Sequence, residues 1–260
     1  EAPHLLPGDL LARLGRFAHK QLHFRAGLGG FQKRALGELV DAALVHADGS
    51  MAGHWGVHLR MTGQFLWLVG PAEACRHTRA RFWCGDGQEL RFVDTRSFGQ
   101  MWWVPAGQPP ERVISGLTRL GPEPFTPEFD VPYLSASLEG SRRPIKTALL
   151  DQSLVAGVGN IYADECLFAA GIRPHTPAHA LDRPRLRRLR QALLEVLEAS
   201  IRAGGTTFSD FRHVSGVNGN YGGQSWVYRR AGQPCRRCGE PILLDRLSGR
   251  STHWCPRCQA

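Results

Sequence analysis

The end of the chain contains the feature that most constrains its fold, two Cys-x2-Cys pairs separated by sixteen residues. The four cysteines are Cys235, Cys238, Cys255 and Cys258. Two intervening residues let both sulfurs of a tight turn face one point, and two such turns supply four thiolates in tetrahedral geometry. The alternative is two disulfides, which a reducing compartment disfavours. We therefore predict one structural Zn²⁺ held by these cysteines.

The residues between the two cysteine pairs predict a β-hairpin. PILLDRL and RSTHW have the composition of strands and flank a turn at Ser248 and Gly249. The region 229–260 contains seven arginines, and its acidic residues are Glu240 and Asp245. A zinc finger this basic is expected to contact phosphate groups.

The whole chain is basic, with a net charge of +9 at pH 7. This favours a polyanionic partner, nucleic acid or an anionic membrane surface, over the alternative of a merely basic soluble surface. The sequence has no apolar window long enough to span a bilayer, and its start lacks the pattern of a signal peptide. We therefore expect a cytoplasmic protein with reduced thiols. Cys75, Cys84 and Cys166 are then expected to be small buried hydrophobic residues.

Residue patterns divide the chain into a β-rich part and a helical part, an α+β multidomain architecture. Residues 51–104 contain alternating runs and a Gly-Asp-Gly hairpin signal, and prolines cluster in 105–124. A later segment carries leucines at helical spacing with arginines opposite, namely Leu186, Leu189, Leu193, Leu194 and Leu197. The predicted boundaries are 1–108 for a β-sandwich with an atypical segment 1–41, 109–125 for a linker, 126–224 for a helical domain and 225–260 for the zinc finger.

The GVGN segment between two helical stretches is a second candidate for phosphate binding. Gly157 and Gly159 permit positive φ and a close approach of the backbone, and Asn160 is predicted to be the N-cap of the next helix. A helix N-terminus reached through glycines presents free N–H groups to an anion. Arg142 and Lys146 lie one helix upstream. The alternative is a plain helical hairpin with a glycine turn.

Taken in order, these segments resemble the formamidopyrimidine-DNA glycosylase family, the bacterial 8-oxoguanine DNA glycosylases/AP lyases. Six motifs carry the resemblance: VHLRMTG (57–63), ELRFVDTRSFG (89–99), LGPEPF (120–125), IKTALLDQSLVAGVGNIYADECLFAAGIRP (145–174), GGTTFSDF (204–211) and the zinc finger with GRSTHWCPRC (249–258). The resemblance covers about residues 43–260.

The resemblance implies a fold, an activity and a partner. The fold is an N-terminal β-sandwich followed by a C-terminal helical domain with a helix–two-turn–helix motif and a β-hairpin zinc finger. The activity is base-excision repair, in which a monomer removes oxidised purines through an imine intermediate and then cleaves the strand. The partner is double-stranded DNA containing oxidised bases or abasic sites, held in a basic cleft between the domains. Through this DNA binding the protein is expected to associate with the nucleoid.

The resemblance assigns DNA contacts to eight residues: Met61, His77, Arg96, Phe98, Arg142, Lys146, Asn160 and Arg250. Met61, Arg96 and Phe98 fill the gap left by a flipped base, and Arg96 faces the orphaned cytosine. Lys146 and Asn160 hold phosphates beside the damaged nucleotide. Arg250 contacts phosphate and is the catalytic residue assigned to the second elimination step. A loop near 213–223 closes over the lesion.

The first 41 residues resemble the family poorly. In the family the mature chain begins with Pro-Glu, whose amine attacks C1′ of the sugar, and a lysine assists β-elimination. This sequence begins EAPH, Glu38 stands where the lysine is expected, and Lys33 is five residues early. The α-amine of Glu1 is then the candidate nucleophile. Truncation, a frame shift and genuine divergence are the three explanations.

Two classes of function follow from these residues. One is a DNA glycosylase/AP lyase that acts on oxidised purines. The other is a catalytically impaired homologue that binds damaged or abasic DNA without the Pro-Glu nucleophile. A related alternative, the endonuclease VIII type, prefers oxidised pyrimidines, but the DTRSFG motif favours the purine type.

Overall fold

The computed structural model describes residues 39–45, 51–84, 88–203 and 221–259. These residues form two compact units. One lies within Glu1–Thr118 and Ser200–Gly222, and the other within Arg119–Ala199 and Gly223–Ala260. The four-part division expected from the sequence stays a prediction. In the described part of the chain, no helix has both the length and the apolar character needed to cross a membrane.

The described residues of the first unit form two three-stranded antiparallel sheets. The strands are β1 (Leu39–Val45), β2 (Met51–His58), β3 (Gly63–Val69), β4 (Thr78–Cys84), β5 (Gln88–Asp94) and β6 (Gln100–Pro105). They are ordered β1-β2-β6 and β3-β5-β4. Aromatic residues of both sheets pack together, with the Trp55 ring 5.4 Å from Phe65 and 4.5 Å from Phe82. The expected β-sandwich is therefore confirmed, because side chains from both sheets share one core.

The chain crosses between the two sheets twice at the same end of the sandwich. Residues 59–62 connect β2 to β3, and residues 95–99 connect β5 to β6. His58 pairs with Gln100, and Gly63 pairs with Asp94, so both ends of one connection lie beside the ends of the other. Strand register thus brings together two loops that are more than thirty residues apart in sequence.

A buried ion pair lies in the sheet that contains β5. The Glu89 carboxylate accepts hydrogen bonds of 2.7 and 3.0 Å from Arg91 and of 2.9 and 3.0 Å from Arg81. Arg91 also donates to the carbonyl oxygens of Ala72 and Glu73, at 2.8 Å each. These guanidinium hydrogen bonds outweigh burial and lower the pKa of Glu89 to about 2.

Replacing Glu89 by glutamine is expected to destabilise the first unit by about 3 kcal/mol at pH 7, because two guanidinium groups lose their anionic partner. A lowered native pKa stabilises the fold above the unfolded pKa of about 4.3, and this stabilisation disappears as the pH falls toward the native pKa of about 2. Urea unfolding at pH 7 and at about pH 3 should therefore show a smaller difference from the unmodified protein at the lower pH. The exposed Glu73→Gln is the control. If the stability difference between Glu89→Gln and the unmodified protein did not change with pH, a stabilising role of the ionised Glu89 carboxylate would be contradicted.

The second unit contains most of the helical residues. The helices are α1 (Pro110–Val113), which lies in the first unit, and then α2 (Val131–Leu138), α3 (Ile145–Leu149), α4 (Asn160–Ala170) and α5 (Arg183–Arg202). Asp130 caps α2 by accepting a 2.7 Å hydrogen bond from the Tyr133 N–H. Four of the five predicted leucines of α5 are buried, and Leu194 is partly exposed. The amphipathic helix expected there is confirmed.

The zinc-finger hairpin consists of β7 (Leu243–Leu247) and β8 (Arg250–Trp254), paired antiparallel. Ser248 and Gly249 form the turn, with φ of 47° and 77°. Two successive positive φ values are typical of the two-residue turns that match strand twist. The predicted hairpin and its turn are therefore confirmed.

Candidate metal centre and nucleic-acid interface

The four paired cysteines come together at one point. Their sulfur atoms lie within 4.8 Å of one another, with 3.9 Å between Cys235 and Cys258 and 3.5 Å between Cys238 and Cys255. A disulfide needs about 2.05 Å, so these cysteines are free thiols and the disulfide alternative is wrong. Four sulfurs about 2.3 Å from a tetrahedral Zn²⁺ lie about 3.8 Å apart. The observed distances therefore fit one zinc ion.

Backbone N–H groups donate hydrogen bonds to the cysteine sulfurs and favour the thiolate form of Cys235. The Arg237 N–H donates to the Cys235 sulfur at 3.4 Å, and the Cys258 N–H donates to the Cys255 sulfur at 3.4 Å. Burial alone would raise the pKa of Cys235, but N–H donation from Arg237 and Cys238 lowers it to about 7. A thiolate is the form that binds zinc.

Two adjacent acidic residues of α4 hold the zinc finger on the helical domain. Glu165 accepts hydrogen bonds of 2.8, 3.0 and 2.8 Å from three successive backbone N–H groups, those of residues 226–228. Asp164 accepts a 2.9 Å hydrogen bond from the His253 N–H, and its second oxygen lies 2.7 Å from Lys146 Nζ. Sequence reasoning missed both acids. Their signal was two carboxylates inside the otherwise apolar segment IYADECLFAA.

Three of the predicted phosphate-binding residues converge at the start of β8. Lys146 Nζ donates to the Ser251 carbonyl oxygen at 2.6 Å, and Asn160 Nδ2 donates to the same oxygen at 3.0 Å. Arg250 precedes Ser251 and is exposed. The structure therefore places the GVGN segment beside the arginine-bearing end of the hairpin.

Two details of this region differ from the prediction. Lys146 is fully buried, and its Nζ donates to Ser251 and Thr252 and lies 2.7 Å from the Asp164 carboxylate, so its ammonium group supports the hairpin and is not directed at a phosphate. The N-cap of α4 is Gly159 and not Asn160, because the Asn160 amide is bonded to the hairpin instead. A Cβ at Gly159 would meet no atom within 4 Å, so space is open before the helix.

The two sheet connections of the first unit bring together three predicted DNA-contacting residues. Arg96 Nη1 donates to the Met61 sulfur at 3.0 Å, and the Arg96 guanidinium lies 4.9 Å from the centre of the Phe98 ring. Met61 is 58% exposed and Phe98 is 53% exposed. Their exposure excludes the sheet-core role that apolar residues usually have. The result is an exposed apolar and cationic surface, which we call the Met61–Arg96–Phe98 cluster.

The remaining predicted residues are more scattered. His77 is partly buried before β4, where Arg76 Nε donates to its Nε2 at 3.0 Å, and Arg142 is exposed between α2 and α3. Cys166 is buried as expected, but Cys75 is exposed because its loop lies outside the sheets, so that prediction is wrong. Other predictions fall outside the described residues or side chains: Glu1, Lys33, Glu38, Cys84 and most of the loop near 213–223.

Comparison with known proteins accounts for nearly the whole chain. Sequence models match at residues 15–101 (Formamidopyrimidine-DNA glycosylase N-terminal domain), 120–212 (Formamidopyrimidine-DNA glycosylase H2TH domain) and 232–260 (Zinc finger found in FPG and IleRS). A Formamidopyrimidine-DNA glycosylase of Parasynechococcus marenigrum is 68% identical over 207 residues, which is 80% of this chain and 74% of the relative. The chain belongs to the formamidopyrimidine-DNA glycosylase family. The first match begins at residue 15, upstream of residue 43, where the resemblance was expected to start.

Solved structures of the same family have the same fold. The MutM (Fpg) protein of Thermus thermophilus matches with a TM-score of 0.72 and 43% identity, covering 80% of this chain and 76% of that one. A complex between the Lactococcus lactis Fpg and a Fapy-dG containing DNA matches with a TM-score of 0.71 and 31% identity, covering 80% and 75%. The predicted combination of sandwich, helix–two-turn–helix domain and zinc finger is thereby confirmed.

Proposed function

We propose that this protein is a DNA glycosylase/AP lyase of base-excision repair that removes oxidised purines, 8-oxoguanine and formamidopyrimidines, from duplex DNA. The observation that carries the proposal is the exposed Met61–Arg96–Phe98 cluster, supported by family membership. The protein works as a monomer in the bacterial cytoplasm, on the DNA of the nucleoid.

The chemistry of the cluster matches what base excision requires. An enzyme that acts on a base must first take it out of the stack, and apolar side chains inserted at the vacated step keep the duplex open. Met61 and Phe98 supply that apolar surface. Arg96 supplies N–H donors that can recognise the edge of the unpaired base opposite the lesion.

The second unit supplies the groups that hold the DNA backbone. Arg250 at the start of β8 and the N–H groups at the start of α4 lie in one region, because the Asn160 amide of α4 is bonded to Ser251 of β8. Arginine and helix N-termini bind phosphate without reading sequence. Arg250, which is exposed, is also our candidate for the second elimination step. The zinc ion, bound by the four cysteines, stabilises the hairpin that presents this arginine.

In the proposed reaction an amine attacks C1′, the damaged base leaves with the electrons of the glycosidic bond, and an imine forms. β-Elimination then breaks the bond to the 3′ phosphate. Borohydride reduces the imine and leaves a covalent protein–DNA product. The protein should therefore give a covalent band with an 8-oxoguanine:cytosine duplex and much less with an undamaged duplex.

Two results would contradict the proposal. If no band formed although the protein shifted an abasic duplex on a gel, the alternative function, binding of damaged DNA without cleavage, would be favoured. A band with an oxidised-pyrimidine duplex but not with 8-oxoguanine would favour the endonuclease VIII type. Phe98→Ala is expected to reduce the rate of trapping without changing zinc content, and Phe125→Ala, an exposed phenylalanine of the second unit, is its matched control.

A further inference from the structure

One buried carboxylate connects both loops that form the Met61–Arg96–Phe98 cluster. Asp94 is 1% exposed and lies at the end of β5. Its Oδ1 accepts hydrogen bonds from the Thr62 hydroxyl at 2.5 Å and from the Arg96 N–H at 3.2 Å. Its Oδ2 accepts a 2.7 Å hydrogen bond from the Gly99 N–H. One carboxyl group thus joins the loop that carries Met61 to the loop that carries Arg96 and Phe98.

The Thr62 hydroxyl completes this arrangement. It donates to Asp94 and accepts a 3.1 Å hydrogen bond from the Arg96 N–H, so both of its hydrogen-bonding roles join one loop to the other. The Asp94 main chain extends the connection to the start of β4, since its N–H donates to the His77 carbonyl oxygen at 2.9 Å and its carbonyl oxygen accepts from Arg79 at 2.9 Å. Burial opposes ionisation, but donation by Thr62 and by backbone N–H groups lowers the pKa of Asp94.

Steric constraints show that the two loops are built to lie close together. A Cβ at Gly63 would meet the Leu59 carbonyl oxygen at 2.3 Å and the Phe92 ring at 2.9 Å. A Cβ at Gly99 would meet the same ring at 2.7 Å. The first loop is therefore followed by a glycine, and the second ends in a glycine, and both glycines pack on the Phe92 ring.

The backbone of both loops also adopts a conformation that side chains disfavour. Arg60 has φ of 53° and Ser97 has φ of 56°. Residues other than glycine adopt such values at a cost, and they persist when the surrounding structure holds them. The Asp94 bonds to the Arg96 and Gly99 N–H groups flank Ser97. Across Arg60 the Gly63 N–H donates to the Leu59 carbonyl oxygen at 3.0 Å, next to the Thr62 hydroxyl that is bonded to Asp94.

We propose that Asp94 and Thr62 are positioning residues for base excision, which hold Met61, Arg96 and Phe98 in the geometry that enters the DNA stack. This inference rests on the proposed function of the cluster. Neither side chain touches the DNA in this role. Because the two loops are already ordered in the folded protein, their conformational entropy is lost during folding and not when the base flips.

The test compares Thr62→Val, which keeps the side-chain shape and removes the hydroxyl, with Thr62→Ser, which keeps the hydroxyl. Thr118→Val, which removes an exposed hydroxyl in the same unit, is the matched control. We expect single-turnover excision of 8-oxoguanine to fall about tenfold in Thr62→Val and about 100-fold in Asp94→Asn, because small misplacements of positioned groups cost up to this much. Thr62→Ser and Thr118→Val should keep rates close to that of the unmodified protein.

Insertion of the cluster can be measured separately with 2-aminopurine placed opposite an uncleavable abasic analogue. The unmodified protein should raise the fluorescence of this base by disturbing its stacking, and Thr62→Val should raise it less. Zinc content should be unchanged in Thr62→Val, and the melting temperature of the free protein should fall by no more than about 5 °C, because Asp94 loses one donor. The free protein therefore stays folded at the assay temperature, whereas a general folding defect would lower both the zinc content and the folded fraction.

The outcomes separate this inference from the function on which it rests. If the unmodified protein excises 8-oxoguanine and Thr62→Val matches Thr62→Ser in both rate and fluorescence, the positioning role is refuted and the glycosylase function stands. If the unmodified protein does not excise 8-oxoguanine, the proposed function fails and the inference fails with it. Should Asp94→Asn not fold, the Thr62 pair still decides.

Discussion

Replacing Cys255 by serine is expected to release the zinc ion and to weaken binding to an abasic-site duplex at least 100-fold. Cys255 is fully buried, and its neighbours in the small core of the finger are Phe168, Val227 and Ile242. A core of this size cannot fold a hairpin without a metal, so loss of one thiolate unfolds the segment that presents Arg250. Zinc content and a gel shift measure the two effects.

The matched control for this prediction is Cys75→Ser. Cys75 is exposed and lies in the other unit, so its replacement should leave zinc content and DNA binding unchanged. A strong chelator added to the unmodified protein should reproduce the effect of Cys255→Ser. If Cys255→Ser kept a full equivalent of zinc, the assignment of the four cysteines as one site would be wrong.

Replacing Lys146 by methionine is expected to destabilise the second unit by about 3–5 kcal/mol. The Lys146–Asp164 pair is fully buried, so the substitution leaves a carboxylate without its cation in a region that water does not reach. Burial lowers the pKa of Lys146, although the charge of Asp164 opposes that shift. The two donors that hold the Ser251 and Thr252 end of β8 are lost as well. Urea unfolding followed by tryptophan fluorescence measures the loss.

A second substitution tests the physical reason. Adding Asp164→Asn to Lys146→Met removes the unpaired charge and keeps an oxygen that accepts from the His253 N–H, so part of the lost stability should return. Arg187→Met, on the exposed face of α5, removes a cation from the surface of the same unit and should change stability by less than about 0.5 kcal/mol. Equal stability of the single Lys146→Met variant and this control would show that the buried pair is dispensable.

Features set by neighbours in the sequence could be predicted from residue patterns. The spacing of Cys235, Cys238, Cys255 and Cys258 predicted the metal centre because tight turns fix the geometry of each pair. Ser248 and Gly249 predicted the hairpin turn because few residues tolerate two positive φ values in succession. The leucines of α5 predicted its buried face, since helical periodicity is a local property.

Folding determines which polar groups are buried and which apolar groups are exposed, and hydropathy alone does not predict this. Hydropathy places Lys146 at the surface and Met61 and Phe98 inside, yet the lysine is fully buried and the other two are more than half exposed. The partners that explain this are distant in sequence: Lys146 bonds to a residue 105 positions away, and Thr62 bonds to one 32 positions away.

Residue patterns were therefore enough to identify the family, the zinc ligands and the composition of the exposed cluster. They were not enough to identify the groups that hold these parts in place. The roles of Asp94, Asp164 and Glu165 became clear only in the folded chain, where their hydrogen-bond donors surround them. The reason is that the role of a carboxylate depends on the donors around it, and those donors come from distant parts of the sequence.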